Sequence, residues 1–343
     1  MIKFKTGNIL TDKSEAIVNT VNCVGVMGKG LALQFKKAFP ENYKEYKTAC
    51  DKKIVAPGKM FITKHEDMLG DKYIINFPTK KHWKGDSKIE YIDDGLIDLI
   101  NEIKKLGIKS IAIPPLGAGL GGLDWSIVKE RILESFCKLD NVDVFVYEPS
   151  NSLKSNDIVN NTDRPNMTRG RALLIKLLEF YFRKGYDCTK IEAQKLAYFL
   201  QESGVDLKLK YVAHNFGPYA ENLNHVLERI DGHFIEGFGD RVTHSNIRLI
   251  ESSIKEADDF LKNDDEAIKS LTKVENLIDG YETPLSMEVL ATVHWVLKYE
   301  NYKTDNFEGI RSFIDKWNEH KSLWKDTYLR KAISRLESYN WAH

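Results

Sequence analysis

Val21-Asn22-Cys23-Val24-Gly25-Val26-Met27-Gly28-Lys29-Gly30 and Pro114-Pro115-Leu116-Gly117-Ala118-Gly119-Leu120-Gly121-Gly122 decide how the first half of this chain is read. Each follows a short apolar run and leads into a helical pattern. Glycine lets the backbone approach an oxyanion closely and adopt positive φ, and the start of the following helix adds free N–H donors and a favourable dipole. One such loop is weak evidence of a ligand. Two in one α/β unit predict the jaws of a diphosphate clamp.

Around the loops, strand-like apolar runs recur at residues 2–4, 16–21, 60–63, 73–77, 110–114 and 142–147. Between several of them the period becomes helical. Leu31, Phe35, Ala38 and Phe39 share one face after the first loop, and Ile89, Ile92, Leu96, Leu99, Ile100 and Ile103 follow three-and-four spacing. This alternation over residues 1–150 predicts a layered α/β domain with a mostly buried mixed sheet, whose ligand crevice lies at the carboxyl ends of strands.

Residues 148–167, rich in Asn, Ser, Asp and Pro, read as a linker, placed at 151–167 between the two domains. Beyond it, residues 168–343 read as mostly α-helical. Thr168 caps a helix through Arg183, Thr189 with Glu192 resembles a capping box, and helices are expected at 219–230, 247–261, 267–277, 287–299 and 328–339. A length of 343 residues with 42% hydrophobic and 29% charged side chains suits two soluble domains. With 50 basic and 50 acidic residues, global charge neither advertises nor excludes a nucleic-acid partner. Residues 1–150 are slightly basic, 23 against 20, and the remainder slightly acidic, 27 against 30.

No apolar stretch approaches the roughly 20 residues of a membrane span, and the N-terminus lacks a signal-peptide core, so a cytoplasmic location with no membrane partner is expected. Cys23, Cys50, Cys137 and Cys188 are scattered and read as reduced thiols; Cys23, with no base placed near it, reads as a small packing residue. The nine histidines are dispersed, and His65-Glu66-Asp67 lacks the spacing of a zinc site, so no metal and no cofactor are expected.

Thr6-Gly7-Asn8-Ile9-Leu10, then Asn19-Thr20-Val21-Asn22 with its glycine loop, then Pro114 to Gly122, resemble the ordered motifs of a macrodomain. The resemblance covers essentially all of residues 1–150 and implies a three-layer α/β/α fold that binds ADP-ribose. Asn76-Phe77-Pro78-Thr79-Lys80-Lys81-His82-Trp83 most resembles the DarG-type branch of ADP-ribosyl glycohydrolase antitoxins. That likeness puts Asn8 and Ile9 at the adenine end, although many macrodomains have aspartate in place of Asn8. It puts Asn22 at the distal ribose, and Gly28, Lys29 and Gly30 with Gly117, Ala118, Gly119, Leu120 and Gly121 around the diphosphate. Lys80 would reach the anomeric carbon. Related terminal ADP-ribose glycohydrolases have an aspartate where this chain has Gly121, which would leave lysine alone here.

Lys80 also has a physical case. Following a strand end and Pro78, it sits on a stiff loop at the ligand-bearing edge of the sheet. As an ammonium it would stabilise the departing base and orient the ribose; as a neutral amine it would attack the anomeric carbon or the ring-opened aldehyde. The sequence leaves both open. Lys81, His82, Trp83 and Lys84 combine aromatic surface with positive charge, as a single-strand contact requires, although a Trp packed beneath the loop would fit the same residues.

In the second half, Gln194-Lys195-Leu196-Ala197-Tyr198-Phe199-Leu200-Gln201, followed by His214-Asn215-Phe216-Gly217-Pro218-Tyr219-Ala220, is similar to the Panacea-type antitoxin domain, with Pro218 expected as the first residue of a helix. Together the resemblances imply an antitoxin that hydrolyses ADP-ribose from thymidine in single-stranded DNA, releases ADP-ribose, and binds a DarT-type toxin through residues 168–343. A protein or O-acetyl-ADP-ribose hydrolase and a non-catalytic ADP-ribose reader are the competing expectations.

Overall fold

Within the strand Ala16–Val21, Ala16 and Val18 join one apolar cluster while Ile17 joins another, so both faces of the sheet are buried. The computed structural model describes residues 1–67, 70–137, 139, 141–149, 159–238 and 246–342. The chain divides into two units, Met1–Asp163 and Arg164–His343.

The first unit contains β1 (Ile2–Lys5), β2 (Ala16–Val21), α1 (Gly30–Ala38), α2 (Pro40–Asp51), β3 (Phe61–Asp67), β4 (Gly70–Pro78), α3 (Ile89–Leu106), β5 (Ser110–Ile113), α4 (Trp125–Phe136) and β6 (Asp143–Tyr147). Its sheet runs β1-β6-β5-β2-β4-β3. All neighbours are parallel except β3 and β4, which form an antiparallel ribbon, so the sheet is mixed as expected. Ile92, Leu96, Leu99 and Ile103 of α3 join Val128, Ile132 and Phe136 of α4 in one cluster. On the other side, α1 supplies Phe35 and Ala38, and α2 supplies Tyr46, Ala49 and Cys50. This is a three-layer α/β/α sandwich.

Two local differences from the sequence reading concern proline and the linker. The face shared by Leu31, Phe35, Ala38 and Phe39 does not belong to one helix. Phe39 leaves helical geometry (φ −131°, ψ 71°) and Pro40 starts α2, because the proline ring disfavours an α conformation in the residue before it and suits the first helical position. Part of the expected linker, residues 159–163, is packed on the first unit. The linker's residues 151–158 lie outside the described residues, but Asn161 donates its main-chain N–H to Lys37 O at 2.9 Å and its Nδ2 to Ala38 O at 2.9 Å. Val159 packs against the cluster of Ile9, Phe35 and Tyr147. Residues 159–163 thus belong to the first unit.

The second unit is helix-rich: α5 (Arg169–Arg183), α6 (Lys190–Glu202), α7 (Glu221–Ile230), α8 (Glu251–Leu261), α9 (Asp265–Ile278), α10 (Pro284–Tyr299), α11 (Phe307–Trp317), α12 (Glu319–Ser322) and α13 (Asp326–Ser338). Thr168 caps α5, and Thr189 with Glu192 forms the expected capping box of α6. The unit is not purely helical. A hairpin of β7 (Tyr211–His214) and β8 (Gly217–Ala220) pairs Ala213 with Pro218, and β9 (Ile235–Glu236) pairs with β10 (Arg248–Leu249). Pro218 therefore lies in a strand, and α7 starts three residues later at Glu221. No helix among the described residues is long and apolar enough to cross a membrane.

Candidate active site at the strand ends

Three adjacent parallel strands, β5, β2 and β4, end side by side, and each is followed by one of the three motif loops. The first glycine loop leaves β2, the Lys80 loop leaves β4, and the second glycine loop leaves β5. Backbone hydrogen bonds join them. Thr79 N donates to Val21 O at 3.0 Å, Cys23 N to Lys81 O at 3.2 Å, and Ser87 N to Gly121 O at 2.9 Å.

Lys80 is the cross-member. Its Nζ donates to Gly85 O at 2.9 Å within its own loop and to Leu120 O at 2.8 Å on the second glycine loop. Burial lowers its pKa below the usual lysine range, and the Asp86 carboxylate works in the opposite direction. Cys23 Sγ points at Lys80 O (3.5 Å), and burial raises its thiol to about 11, the environment of a packed residue rather than of a thiolate nucleophile.

The glycine jaws meet at their tips. Gly30 opens α1 at φ +55°, and a Cβ placed on it would lie 3.5 Å from Leu120 Cδ1. Lys29 is the N-cap of α1 and makes no side-chain capping bond, while the first turn carries no acidic residue. That end offers the donors and dipole an anion needs. In the second loop, Gly122 N donates to Gly119 O and Leu123 N to Gly117 O, both at 3.1 Å, and Ala118 N reaches Pro115 O at 3.4 Å. A Cβ at Gly121 would overlap Gly117 O and Ser87 Oγ. No side chain fits there, so an aspartate beside Lys80 is sterically excluded in this arrangement.

The side chain of Asn22, expected at the distal ribose, is spent on its own loop. Its Oδ1 accepts from Val24 N at 3.0 Å and Val26 N at 3.3 Å, and its Nδ2 donates to Val26 O at 2.6 Å. Tyr46 Oη donates to Asn22 O at 2.6 Å from below. Asn8 caps the turn Ile9–Thr11 by accepting from Leu10 N at 3.0 Å, and Ile9 is buried. Trp83 is not packed beneath its loop: it is 48% exposed, stacked on His82 with centroids 5.5 Å apart, with Lys84 Nζ 5.0 Å from its ring. Lys81 lies farther along, its Nζ 6.0 Å from the Tyr91 ring. Among the described residues no three His, Cys, Asp or Glu side chains gather as metal ligands.

A buried chain of amides, not anticipated from the sequence, lies beneath the loops. Asn19 and Asn76 are register partners on β2 and β4; Asn19 Nδ2 donates to Asn76 Oδ1 at 3.0 Å, Asn76 Nδ2 to Asn42 Oδ1 at 2.7 Å, and Thr63 Oγ1 to Asn42 Oδ1 at 2.8 Å. Asn22 and Lys80 follow three and four residues later. The available signal was one asparagine inside each of two apolar strand runs, where a polar side chain demands a partner.

The fold and the paired glycine loops define a macrodomain, and residues 18–132 match the Macro domain family. A Thermus aquaticus protein named DNA ADP-ribosyl glycohydrolase is 46% identical over 336 residues, 98% of this chain and 93% of its own. Its namesake in Mycobacterium tuberculosis is 38% identical over 353 residues, 98% of this chain and 99% of its own. The chain belongs to this enzyme family, the DNA ADP-ribosyl glycohydrolases. A Thermosipho africanus DNA ADP-ribosyl transferase-DNA ADP-ribosyl glycohydrolase fusion protein is 40% identical over 158 residues, 42% of this chain and 40% of the fusion.

Proposed function

We propose that the first unit releases ADP-ribose from a modified thymidine in single-stranded DNA, and that the second unit binds and neutralises the DarT-type ADP-ribosyltransferase that makes the modification. The observation that carries the hydrolytic reading is Lys80, half-buried, with its ammonium fixed by two main-chain carbonyls at the meeting point of the Lys80 loop and the second glycine loop. The glycine loops hold the diphosphate through main-chain N–H groups, and the α1 N-terminus adds its dipole. Lys80 acts where the ribose meets the base. As an ammonium it gives a proton to the departing base nitrogen while water adds to the anomeric carbon. As an amine it attacks that carbon as the bond to the base nitrogen breaks and the base takes a proton from solvent, and water then displaces the lysine and restores the amine; burial, which lowers the lysine pKa, works towards this form, and the Asp86 carboxylate works towards the ammonium.

The stacked His82 and Trp83, flanked by Lys81 and Lys84, support a DNA strand as the substrate's remaining part. The Thermosipho fusion, which joins a transferase to a glycohydrolase, supports the pairing of this enzyme with its antagonist.

The test is incubation of the full chain and its Lys80→Ala variant with a thymidine-ADP-ribosylated single-stranded oligonucleotide, followed by mass spectrometry of free ADP-ribose and restored DNA. Release by the wild type and its loss in the folded variant is expected. Faster turnover of ADP-ribosylated protein or O-acetyl-ADP-ribose would move the reading to those substrates, and tight ADP-ribose binding without turnover would make the protein a reader. For the second unit, deletion of residues 164–343 is expected to abolish toxin inhibition and leave glycohydrolase activity intact.

A further inference from the structure

Lys195 on α6 is a buried lysine whose amine meets a main-chain carbonyl. The residue is 1% exposed, and its Nζ donates to the main-chain oxygen of Pro218 at 2.7 Å. Among the described residues no carboxylate forms an ion pair with it. The nearby acid, Glu288 on α10, is engaged elsewhere: the buried Lys321 ammonium of α12 is hydrogen-bonded to it, and His320 Nε2 lies 3.5 Å from its other oxygen. That carboxylate is thus spent on α12. Buried charge of this kind is strongly unfavourable unless it is paired.

Lys195 also lines a cavity of about 210 Å³. Ile191, Phe216 and the neighbouring rings of His214 and Tyr219, with centroids 4.9 Å apart, supply apolar wall. Gln194 and Glu221 are already engaged. Gln194 bonds both the N–H and the C=O of Ala220 at 3.0 Å, and Glu221 accepts from Tyr219 Oη at 2.9 Å. Lys190, in the first turn of the same helix, adds a second cation to the lining.

We propose that this cavity is a carboxylate-binding site, in which the ligand supplies the counter-ion that the fold withholds from Lys195. An ammonium set among apolar walls selects a compact anion with an apolar stem, and the volume accommodates one amino-acid side chain or a small organic acid. The carboxylate is either an acidic side chain of the bound toxin, a source that rests on the proposed function, or a free small acid, which does not.

Binding has a signature. Burial holds Lys195 at about 7, with Glu288 opposing and Lys321 reinforcing the shift. The other charged or titratable groups on the cavity are Lys190 of α6, His214 of β7, Tyr219 of β8 and Glu221 of α7. A carboxylate arriving at pH 7.5 stabilises the ammonium and therefore draws a proton from solution.

The full chain is titrated calorimetrically with sodium benzoate and sodium glutarate at pH 7.5 in buffers of different ionisation enthalpy, and separately with the toxin. Saturable probe binding with net proton uptake is expected, abolished by Lys195→Met and weakened severalfold by Lys190→Glu. The second variant places an acid in the first turn of α6, where the helix tolerates it. Toxin affinity that falls tenfold or more in Lys195→Met, with the proton uptake lost, assigns the carboxylate to the toxin. Probe binding lost while toxin affinity stays unchanged assigns the cavity to a free acid. If neither probe saturates and Lys195→Met binds toxin as the wild type does, the proposal is overturned. A toxin that fails to bind the wild type sinks only the toxin reading, because the probe titrations still decide the cavity.

Discussion

Lys80 Nζ donates to Leu120 O at 2.8 Å, so the lysine and the second glycine loop hold each other in place across 40 residues of sequence. The same loop is pinned one residue later, where Ser87 N donates to Gly121 O at 2.9 Å. A Gly121→Ala side chain would collide with Gly117 O and Ser87 Oγ and force that segment outward. Overpacking of this kind costs about 1–3 kcal/mol. ADP-ribose affinity is expected to fall about tenfold or more in calorimetry, with turnover reduced further because the Lys80 anchor moves; unchanged affinity would mean that the second loop is not the diphosphate jaw.

Asn76 lies four residues before Lys80 and ties β4 to Asn19 of β2 and to Asn42 of α2. In Asn76→Leu the buried amides of Asn19 and Asn42 lose this partner, which costs about 1–3 kcal/mol. The urea midpoint should drop accordingly, and turnover should drop although Lys80 is intact. A variant as stable and as active as the wild type would show that the amide chain positions nothing.

Trp83 is 48% exposed beside His82 and Lys84, so Trp83→Ala should leave the thermal midpoint within about a degree of the wild type. Base stacking on an aromatic ring is worth about 1–3 kcal/mol. Affinity for the modified oligonucleotide should therefore fall roughly 5- to 150-fold, while free ADP-ribose binds as before, a comparison that fluorescence titration makes directly. Equal losses for both ligands would place Trp83 in the ADP-ribose cradle instead.

Asp12 accepts hydrogen bonds from Lys5 Nζ (2.7 Å), Tyr147 Oη (2.7 Å), and Ser14 N and Oγ (2.9 and 2.5 Å). Burial alone would raise its pKa, but these donors outweigh it and lower the carboxyl to about 2. Because the folded value lies below the unfolded one, the stabilisation is complete above about pH 4 and is lost as pH falls through the folded value. It amounts to about 2–3 kcal/mol. Urea midpoints of the first unit measured between pH 5 and 2 should decline less steeply in Asp12→Asn, which starts from a lower plateau; parallel curves would assign the acid sensitivity to other carboxylates.

Much of the first unit was legible because its signals are local. The apolar runs of β2, β4, β5 and β6, the helical face of α3 and the two glycine loops each depend on residues within a few positions of one another. The α6 capping box was equally readable, with both partners inside four residues. The β7–β8 hairpin was not. Gly217-Pro218 suits a helix start as well as a turn into a strand, and the choice went to pairing with Tyr211–His214 and to the bond that Lys195 sends to Pro218 O.

What the sequence by itself determined was the order of strands, glycine loops and helices, and with it the macrodomain reading and the candidate lysine, because side-chain period and glycine conformation are properties of short segments. The tertiary structure alone decided what those side chains touch. It turned Asn22 inward to brace its own loop, gave Lys80 an acceptor 40 residues away, paired Asn19 with Asn76 beneath the site, and set the Lys195 amine on the Pro218 carbonyl. Each of these outcomes depends on which distant polar group arrives within about 3 Å of another, a distance set by packing rather than by neighbours in the chain.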